Sequence, residues 1–339
     1  MNKSGLIGKI ENILIIRRNN IGDMICAIPV FKAIRNQLPN ARITVLAEKT
    51  NSIIIKGAPF IDHLIVYNKG NGIFRNKYLN FWKLIRQNKV EFDLVIVLKA
   101  GFSSTSSLMA MISGARFRMG CLPESWHPLQ FCYNLPLKVQ ESWHPLHIKD
   151  IFLEMIKNIG ITASEKDISF EIPEESKERV HSFFKINSIQ KADNIVVFNI
   201  SNNRPDTMWP VERFRETAEI ISNEYDAIFI ITSIPADKDR AVTLSKEIKK
   251  GFYFDEVAKV MDFAALVSEA GVLICGEGGA MHIGASVNTP TVSLWGGTAS
   301  VANWMHREEN QFMVRTGKYV NSISGGDVLE VIRKNKILK

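Results

Sequence analysis

The chain has 339 residues, 46% of them hydrophobic and 23% charged, with a net charge of +7 and an isoelectric point near 9.1. That length exceeds one ordinary hydrophobic core, so two domains are expected, and the composition excludes a disordered or collagen-like chain. The basic surplus either favours anionic partners, such as phosphorylated substrates or anionic lipid headgroups, or reflects a generally basic background; Lys and Arg are spread along the chain, so no nucleic-acid partner is expected. No apolar run approaches the ~18–20 residues that cross a bilayer, and residues 13–16 are too few for a signal-peptide core. Cys26, Cys121, Cys132 and Cys275 form no CxxC pair, which fits a reducing compartment. A cytoplasmic location is the expectation.

In chain order, residues 12–17 read as a strand, 27–37 as a helix, 42–47 and 63–67 as strands, 78–88 as a helix and 92–98 as a strand. Short β-branched runs alternating with helical periodicity imply βαβ units and a mainly parallel sheet. The pattern lapses between Cys121 and His147, a stretch rich in Trp, His and Pro. A helix follows over 148–159, with Gly160 placed to end it, and the polar stretch 162–178 reads as the connection between domains. Alternation then restarts with strand 194–200, helix 211–223, strand 227–232, helices 237–249 and 263–270, strand 272–275, helix 280–286 and strand 291–294. A last helix at 327–334 carries an apolar face of Val328, Leu329 and Ile332. The expected fold class is α/β: two Rossmann-like parallel-sheet domains, residues 1–165 and 166–325, facing a central cleft. Residues 326–339 are expected to form a helix placed to pack back on the N-terminal domain. Ligands of such sheets bind beyond the carboxyl ends of the strands.

Two constellations lie at such ends. The first runs from Arg17 to Pro29: a strand, the polar turn Arg17-Arg18-Asn19-Asn20-Ile21-Gly22-Asp23, then a helix. Gly22 can supply a positive φ or a close backbone approach. Asp23 is either an N-cap that accepts an orphan N–H, or a general base for an acceptor hydroxyl. Arg17 and Arg18 either hold an anionic group or are solvated. The turn lacks GxGxxG, which counts against a nicotinamide-dependent oxidoreductase. The second constellation runs from Gly276 to Trp304. A strand ends at Cys275, a glycine-rich turn follows, and a helix of small residues begins near Ala280. Exposed backbone N–H groups and the helix N-terminus make a phosphate site that needs neither metal nor a P-loop lysine. A second glycine turn follows at Gly296, Gly297 and Thr298. His282 is either a packed, hydrogen-bonded histidine or part of the site.

At these motifs the chain resembles glycosyltransferase family 9, the bacterial heptosyltransferases, over nearly its whole length. The matching residues are Arg17, Gly22-Asp23 and Pro29; Trp209-Pro210 through Phe214; Glu277-Gly278-Gly279-Ala280-Met281-His282 through Ala285; and Pro290, Trp295-Gly296 and Trp304. The resemblance implies a GT-B fold and an inverting transfer without metal or cofactor. It implies heptose moving from the nucleotide sugar ADP-heptose to a lipid-linked lipopolysaccharide or lipooligosaccharide core acceptor. Asp23 matches the family's general base. Glu277, Gly278, Gly279, Ala280, Met281 and His282, with Arg204 and Thr207 on the loop 199–209, are the expected donor-binding set. A peripheral position on the cytoplasmic face of the anionic inner membrane goes with such an acceptor. Two residues depart from the pattern. Thr207 stands where the family has Lys, so either Arg204 supplies that charge or it is a solvated arginine. Glu277 replaces the commoner Asp. These departures leave open a different nucleotide sugar serving another cell-surface glycan, or a non-catalytic nucleotide-sugar-binding homologue.

One further feature is a repeated hexapeptide: Glu-Ser-Trp-His-Pro-Leu occurs at 124–129 and again at 141–146. Proline is expected to keep His127 and His144 out of helical geometry. Cys121, Cys132 and His147 lie nearby, but their spacing fits no common zinc pattern, and no metal is expected. The segment is either an acceptor-facing loop or a local packing element. On the first view Trp126, His127, Trp143 and His144 join Arg17, Arg18 and Asn20 as the acceptor-binding set.

Overall fold

The computed structural model describes residues 8, 10–67, 74–87, 90–190, 194–202, 204–255, 259–296 and 300–339, with only the backbone of 74–77 and 206. They form two compact units, Met1–Phe170 with Ala302–Trp304, and Glu171–Val301 with Met305–Lys339.

The first unit runs β1 (Asn12–Ile16), α1 (Ile21–Ile25), α2 (Ile28–Gln37), β2 (Arg42–Glu48), α3 (Lys49–Ser52), β3 (His63–Tyr67), α4 (Phe74–Gln87), β4 (Leu94–Val97), α5 (Ser104–Ile112), β5 (Phe117–Cys121), β6 (Leu135–Leu137) and α6 (Ile148–Lys157). Its sheet has the order β3-β2-β1-β4-β5-β6 with every pair parallel. β1 lies between β2 and β4, with Ile13 opposite both Ile43 and Leu94. Both faces of such a strand are covered, which is why Ile13, Leu14 and Ile15 are fully buried in an unbroken apolar run. Gly160, at φ +86°, closes the turn after α6 in the left-handed region that glycine tolerates.

The second unit runs α7 (Glu174–Ile186), β7 (Asn194–Asn199), α8 (Val211–Ser222), β8 (Ala227–Thr232), α9 (Lys238–Glu247), β9 (Gly251–Tyr253), α10 (Val260–Ser268), β10 (Val272–Gly276), α11 (Gly279–Ser286) and β11 (Thr291–Leu294). After the short α12 (Val301–Trp304), most of which clusters with the first unit, come β12 (Gln311–Val314) and α13 (Gly325–Lys334). Its parallel sheet has the order β12-β11-β10-β7-β8-β9. Counted from its own first strand, this is the order of the first sheet again. Both are the Rossmann arrangement, with the switch in winding direction between β1 and β4 in one unit and between β7 and β10 in the other.

Three expectations change. Strands β6, β9 and β12, each three or four residues long at a sheet edge, are absent from the sequence reading, as are β5 and α5. Helix α7 begins inside the polar stretch read as a connection. The C-terminal helix α13 packs within the second unit, where the sequence suggested a return to the first. Its Val328, Leu329 and Ile332 are buried in one cluster with Trp209, Phe214 and Ile221. Gly325 lies so close to α8 that a Cβ there would come within 2.8 Å of Thr217 Oγ1. Ser324 caps α13 reciprocally with Asp327: Ser324 N donates to Asp327 Oδ2 (2.7 Å), and Asp327 N donates to Ser324 Oγ (3.2 Å). The Trp209-Pro210 motif belongs to the same core. Trp209 Nε1 donates to Ile323 O (3.0 Å), and its ring meets Phe214 edge-on at 4.8 Å.

Candidate functional sites at the two switch points

In the first unit the turn after β1 folds onto α1. Asn20 is the residue preceding α1, and Asp23 occupies the third helical position, so Asp23 is not the N-cap considered from sequence. Gly22 lies in the helix and is not among the glycines with positive φ. The Asp23 carboxylate is largely buried, at 8% exposure. Its Oδ1 pairs with Arg17 Nη2, and its Oδ2 accepts a long bond from Asn20 N (3.3 Å). Arg17, 2% exposed, also donates from Nε to Asp23 O (3.1 Å) and from Nη1 to Leu98 O (2.8 Å), and lies over the Phe152 ring at 4.8 Å. All three of its nitrogens are engaged. Burial lowers its pKa, and the Asp23 carboxylate opposes that. Arg17 therefore orients Asp23 and joins the turn after β1 to the one after β4. Each nitrogen is already bonded within the first unit and the residue is 2% exposed, which leaves it little access to the acceptor expected of it. Arg18 is buried separately, with Nη1 3.8 Å from Glu48 Oε1.

Asn51 is a residue that sequence reasoning missed. It is fully buried, accepts from Glu48 N (2.9 Å) and donates from Nδ2 to Asn19 O (2.5 Å), which staples the turn to the end of β2. The available signal was its place three residues beyond Glu48, the spacing of a helix cap.

In the second unit the turn after β10 is the glycine cradle. Gly278, at φ +149° and ψ −154°, precedes α11 in a conformation that L side chains rarely adopt. Gly279 opens α11 and faces empty space: a Cβ there would have no neighbour within 4 Å. With Ala280 it presents the first N–H groups of the helix, the donors left unpaired by helix geometry. Asn202 braces the turn by donating from Nδ2 to Glu277 O (2.6 Å), crossing this switch point as Arg17 crosses the other. It too was unmarked in the sequence.

Arg204 Nη2 pairs with Glu277 Oε1 at 2.7 Å, so the guanidinium is at the cradle with a carboxylate balancing its charge. Thr207 is buried, and its hydroxyl donates to Arg204 O (2.9 Å). It shapes the loop and does not stand in for the family's lysine. Met281 and His282 turn their side chains inward. His282 Nδ1 lies 2.7 Å from His306 Nε2, so of its two readings the packed, hydrogen-bonded histidine is the one observed. Gly296 is described, its Cα so near Val320 N that a Cβ would lie 2.4 Å away, whereas Gly297 and Thr298 fall outside the described residues.

The two hexapeptide copies diverge. Trp126 is 73% exposed, whereas Trp143 is buried at 3% and belongs to the packing of the first unit, which corrects its place in the acceptor-binding set. His127 Nδ1 accepts from Leu129 N (3.1 Å), and its ring meets Phe102 at 4.8 Å. His144 has helical geometry (φ −58°, ψ −37°) despite the following proline, because it closes the 3-10 turn Glu141–Trp143. Asn303 Nδ2 donates to the carbonyls of His144 (3.0 Å) and Leu146 (2.8 Å), which pins this copy in place. Burial pushes the Cys121 thiol up to about 12, so it stays protonated at neutral pH.

Two Rossmann-ordered units, one with an oriented carboxylate and the other with a glycine-rich helix start at its switch point, have the build of a glycosyltransferase of the GT-B class. The chain belongs to glycosyltransferase family 9 (heptosyltransferase), whose sequence profile matches residues 79–319. That range contains the cradle, while Asp23 precedes it. Lipopolysaccharide heptosyltransferase 3 of Escherichia coli K12 is 24% identical over 306 residues, covering 88% of this chain and 86% of the relative. A family 9 glycosyl transferase from Veillonella parvula superposes with a TM-score of 0.84 at 19% identity, over 96% of this chain and 97% of that one. The E. coli ADP-heptose LPS heptosyltransferase II gives 0.75 at 17% identity, over 96% and 98%. The protein is an enzyme that takes a nucleotide-sugar donor and an oligosaccharide acceptor.

Proposed function

We propose that the enzyme moves heptose from ADP-heptose to a lipopolysaccharide or lipooligosaccharide core acceptor, with inversion at the anomeric carbon and without a metal ion. The observation that carries this is the cradle itself. Gly278 gives the chain a turn that only glycine adopts readily, and the face of Gly279 is open where a diphosphate would rest on backbone N–H groups. Its carboxylate, Glu277, is already ion-paired with Arg204, so the local chemistry suits phosphate oxygens better than a divalent cation. Arg204 then meets the charge that develops on the ADP leaving group. Asp23 accepts the proton of the attacking hydroxyl as the new bond forms, and Arg17 fixes which oxygen faces the substrate. Asn20, Arg18, Trp126, His127 and His144 are the acceptor-side candidates. The choice of ADP-heptose as donor and lipopolysaccharide as acceptor class follows the similarity to the E. coli lipopolysaccharide heptosyltransferase 3 and ADP-heptose LPS heptosyltransferase II.

A different nucleotide sugar is the second reading, favoured by one observation: Glu277 is a methylene longer than the family's Asp and is drawn toward Arg204. The enzyme works at the cytoplasmic face of the inner membrane on this proposal. The net charge of +7 and the exposed Trp126, Phe131 and Met111 support surface contact with anionic lipid. No helix among the described residues is long and apolar enough to cross a membrane.

A donor panel tests the reading. At 100 times its dissociation constant, ADP-heptose should stabilise the fold by about 2.7 kcal/mol, visible as a raised melting temperature, while UDP- and GDP-sugars at the same concentration should not. A shift confined to another nucleotide sugar would replace the proposed donor.

A further inference from the structure

Helix α4 has two sides of different character. Phe81 and Ile85 are buried in one cluster with Leu14, Ile16, Phe92 and Met109, which fixes the helix on the sheet. Leu79, Trp82, Lys83 and Arg86 recur at the spacing of one helical stripe and are exposed, Leu79 by 46% and Trp82 by 44%. The Arg86 guanidinium lies over the Trp82 ring at 5.4 Å. The apolar exposure continues onto the neighbouring elements. α4 packs against α5, and α5 against the 3-10 turn Pro128–Cys132. Met111 of α5 is 53% exposed and Phe131 of the turn 72%, and Cys132 Sγ lies 3.7 Å from Met111 Sδ. Single exposed apolar side chains are ordinary, but four large ones on three adjoining elements mark a contact surface. Charge sets this face apart as well. α4, α5 and the turn contain no Asp or Glu, and α4 alone has four Lys or Arg. Helices α7, α8, α9 and α13 mix both signs, the pattern that suits water. α2 also holds only cations, but its Lys32 is paired with Asp167 and its Arg35 with Asp62. Lys83 and Arg86 have no carboxylate partner among the described residues.

We infer that α4, with Met111 and Phe131 beside it, is the face that lies on an anionic bilayer; this rests on the membrane-surface part of the proposed function and names the surface that performs it. Leu79 and Trp82 enter the boundary between headgroups and acyl chains, and Lys83 and Arg86 stay at the level of the lipid phosphates. Such a helix binds by apolar burial together with attraction to anionic headgroups. Each cation held at that surface strengthens binding roughly fivefold.

Co-sedimentation of the full chain with phosphatidylcholine vesicles, with and without about one-third phosphatidylglycerol, tests this. The wild type should bind the anionic vesicles about tenfold or more tightly than the neutral ones. Lys83→Gln with Arg86→Gln should weaken anionic binding about 25-fold, the product of two cations. Trp82→Ser should weaken it about tenfold although the charge is unchanged. Arg215→Gln with Lys246→Gln removes the same charge from exposed positions of α8 and α9 and should bind like the wild type. Equal wild-type affinity for the two vesicles would overturn the inference. So would an equal loss from the α8 and α9 pair, which would show that net charge alone is read. A dimer that forms without lipid and that Trp82→Ser dissolves, seen by sedimentation velocity, would give the face to a second copy and overturn it too. Transfer to a lipid-free acceptor separates the two levels. Heptosyl transfer by a wild type indifferent to anionic lipid keeps the proposed reaction and removes the α4 face. Vesicle binding lost on substitution in α4, with no transfer from ADP-heptose, removes the reaction and leaves the face standing.

Discussion

Asp23 and Arg17 form a pair whose two members cannot be judged separately. A buried guanidinium that loses its carboxylate is left uncompensated, and breaking such a pair costs about 3–5 kcal/mol, a large part of the ~5–15 kcal/mol that holds a typical domain together. Asp23→Asn should therefore lower the melting temperature as well as the rate. The two effects separate because Asp23 belongs to the first unit and the cradle to the second. In protein that still binds ADP-heptose with unchanged affinity, kcat should fall by about 100- to 10,000-fold, the range of a general base. A folded Asp23→Asn enzyme with near-wild-type kcat would leave Asp23 only its structural part. The motif Gly22-Asp23 and the nearby Arg17 were visible in the sequence, but the carbonyl that holds the guanidinium was not. Arg17 and Leu98 are distant in the chain, and only the β1–β4 pairing brings the Leu98 carbonyl to the guanidinium.

The central elements were the legible ones. β1, β2, β7 and β8 are buried on both faces, so burial demands an unbroken apolar run and the sequence must display it. Edge strands are asked for less. β6 is Leu-Pro-Leu and β9 Gly-Phe-Tyr, too short for any period, and a proline is tolerated at an edge because one side of the strand needs no partner. Within the cradle, neighbouring glycines do different work, which gives a paired prediction. Gly278→Val forces a β-branched residue into φ +149° and should cost about 1–3 kcal/mol of stability. Gly279→Val enters open space on a helix, where valine's propensity is no worse than glycine's, so the melting temperature should hold. It should nonetheless weaken ADP-heptose binding by more than about tenfold, because its side chain fills the donor's place. Melting curves and donor titrations on both variants check this; intact donor binding in Gly279→Val would mean that the diphosphate rests elsewhere.

Taken whole, the molecule repeats one strand order in two units and puts a cross-brace at each switch point, Arg17 to Leu98 in the first and Asn202 to Glu277 in the second. Arg17 was a motif residue read for a different role, and Asn202 falls in a loop without periodicity, so nothing local in the sequence marks either one as a brace. The C-terminal helix was misplaced for a related reason. Its apolar face was plain, but an amphipathic stripe states only that a partner exists, and the identity of α8 as that partner depends on Gly325 meeting Thr217. The measurement that bears most directly on heptosyl transfer without metal is a reaction of the purified enzyme with ADP-heptose and core acceptor in excess EDTA, read by product mass and anomeric configuration. The proposed mechanism predicts a heptosylated product of inverted configuration, formed at the same rate with and without the chelator. An absolute requirement for added Mg²⁺ or Mn²⁺, or retention of the donor's configuration, would contradict it.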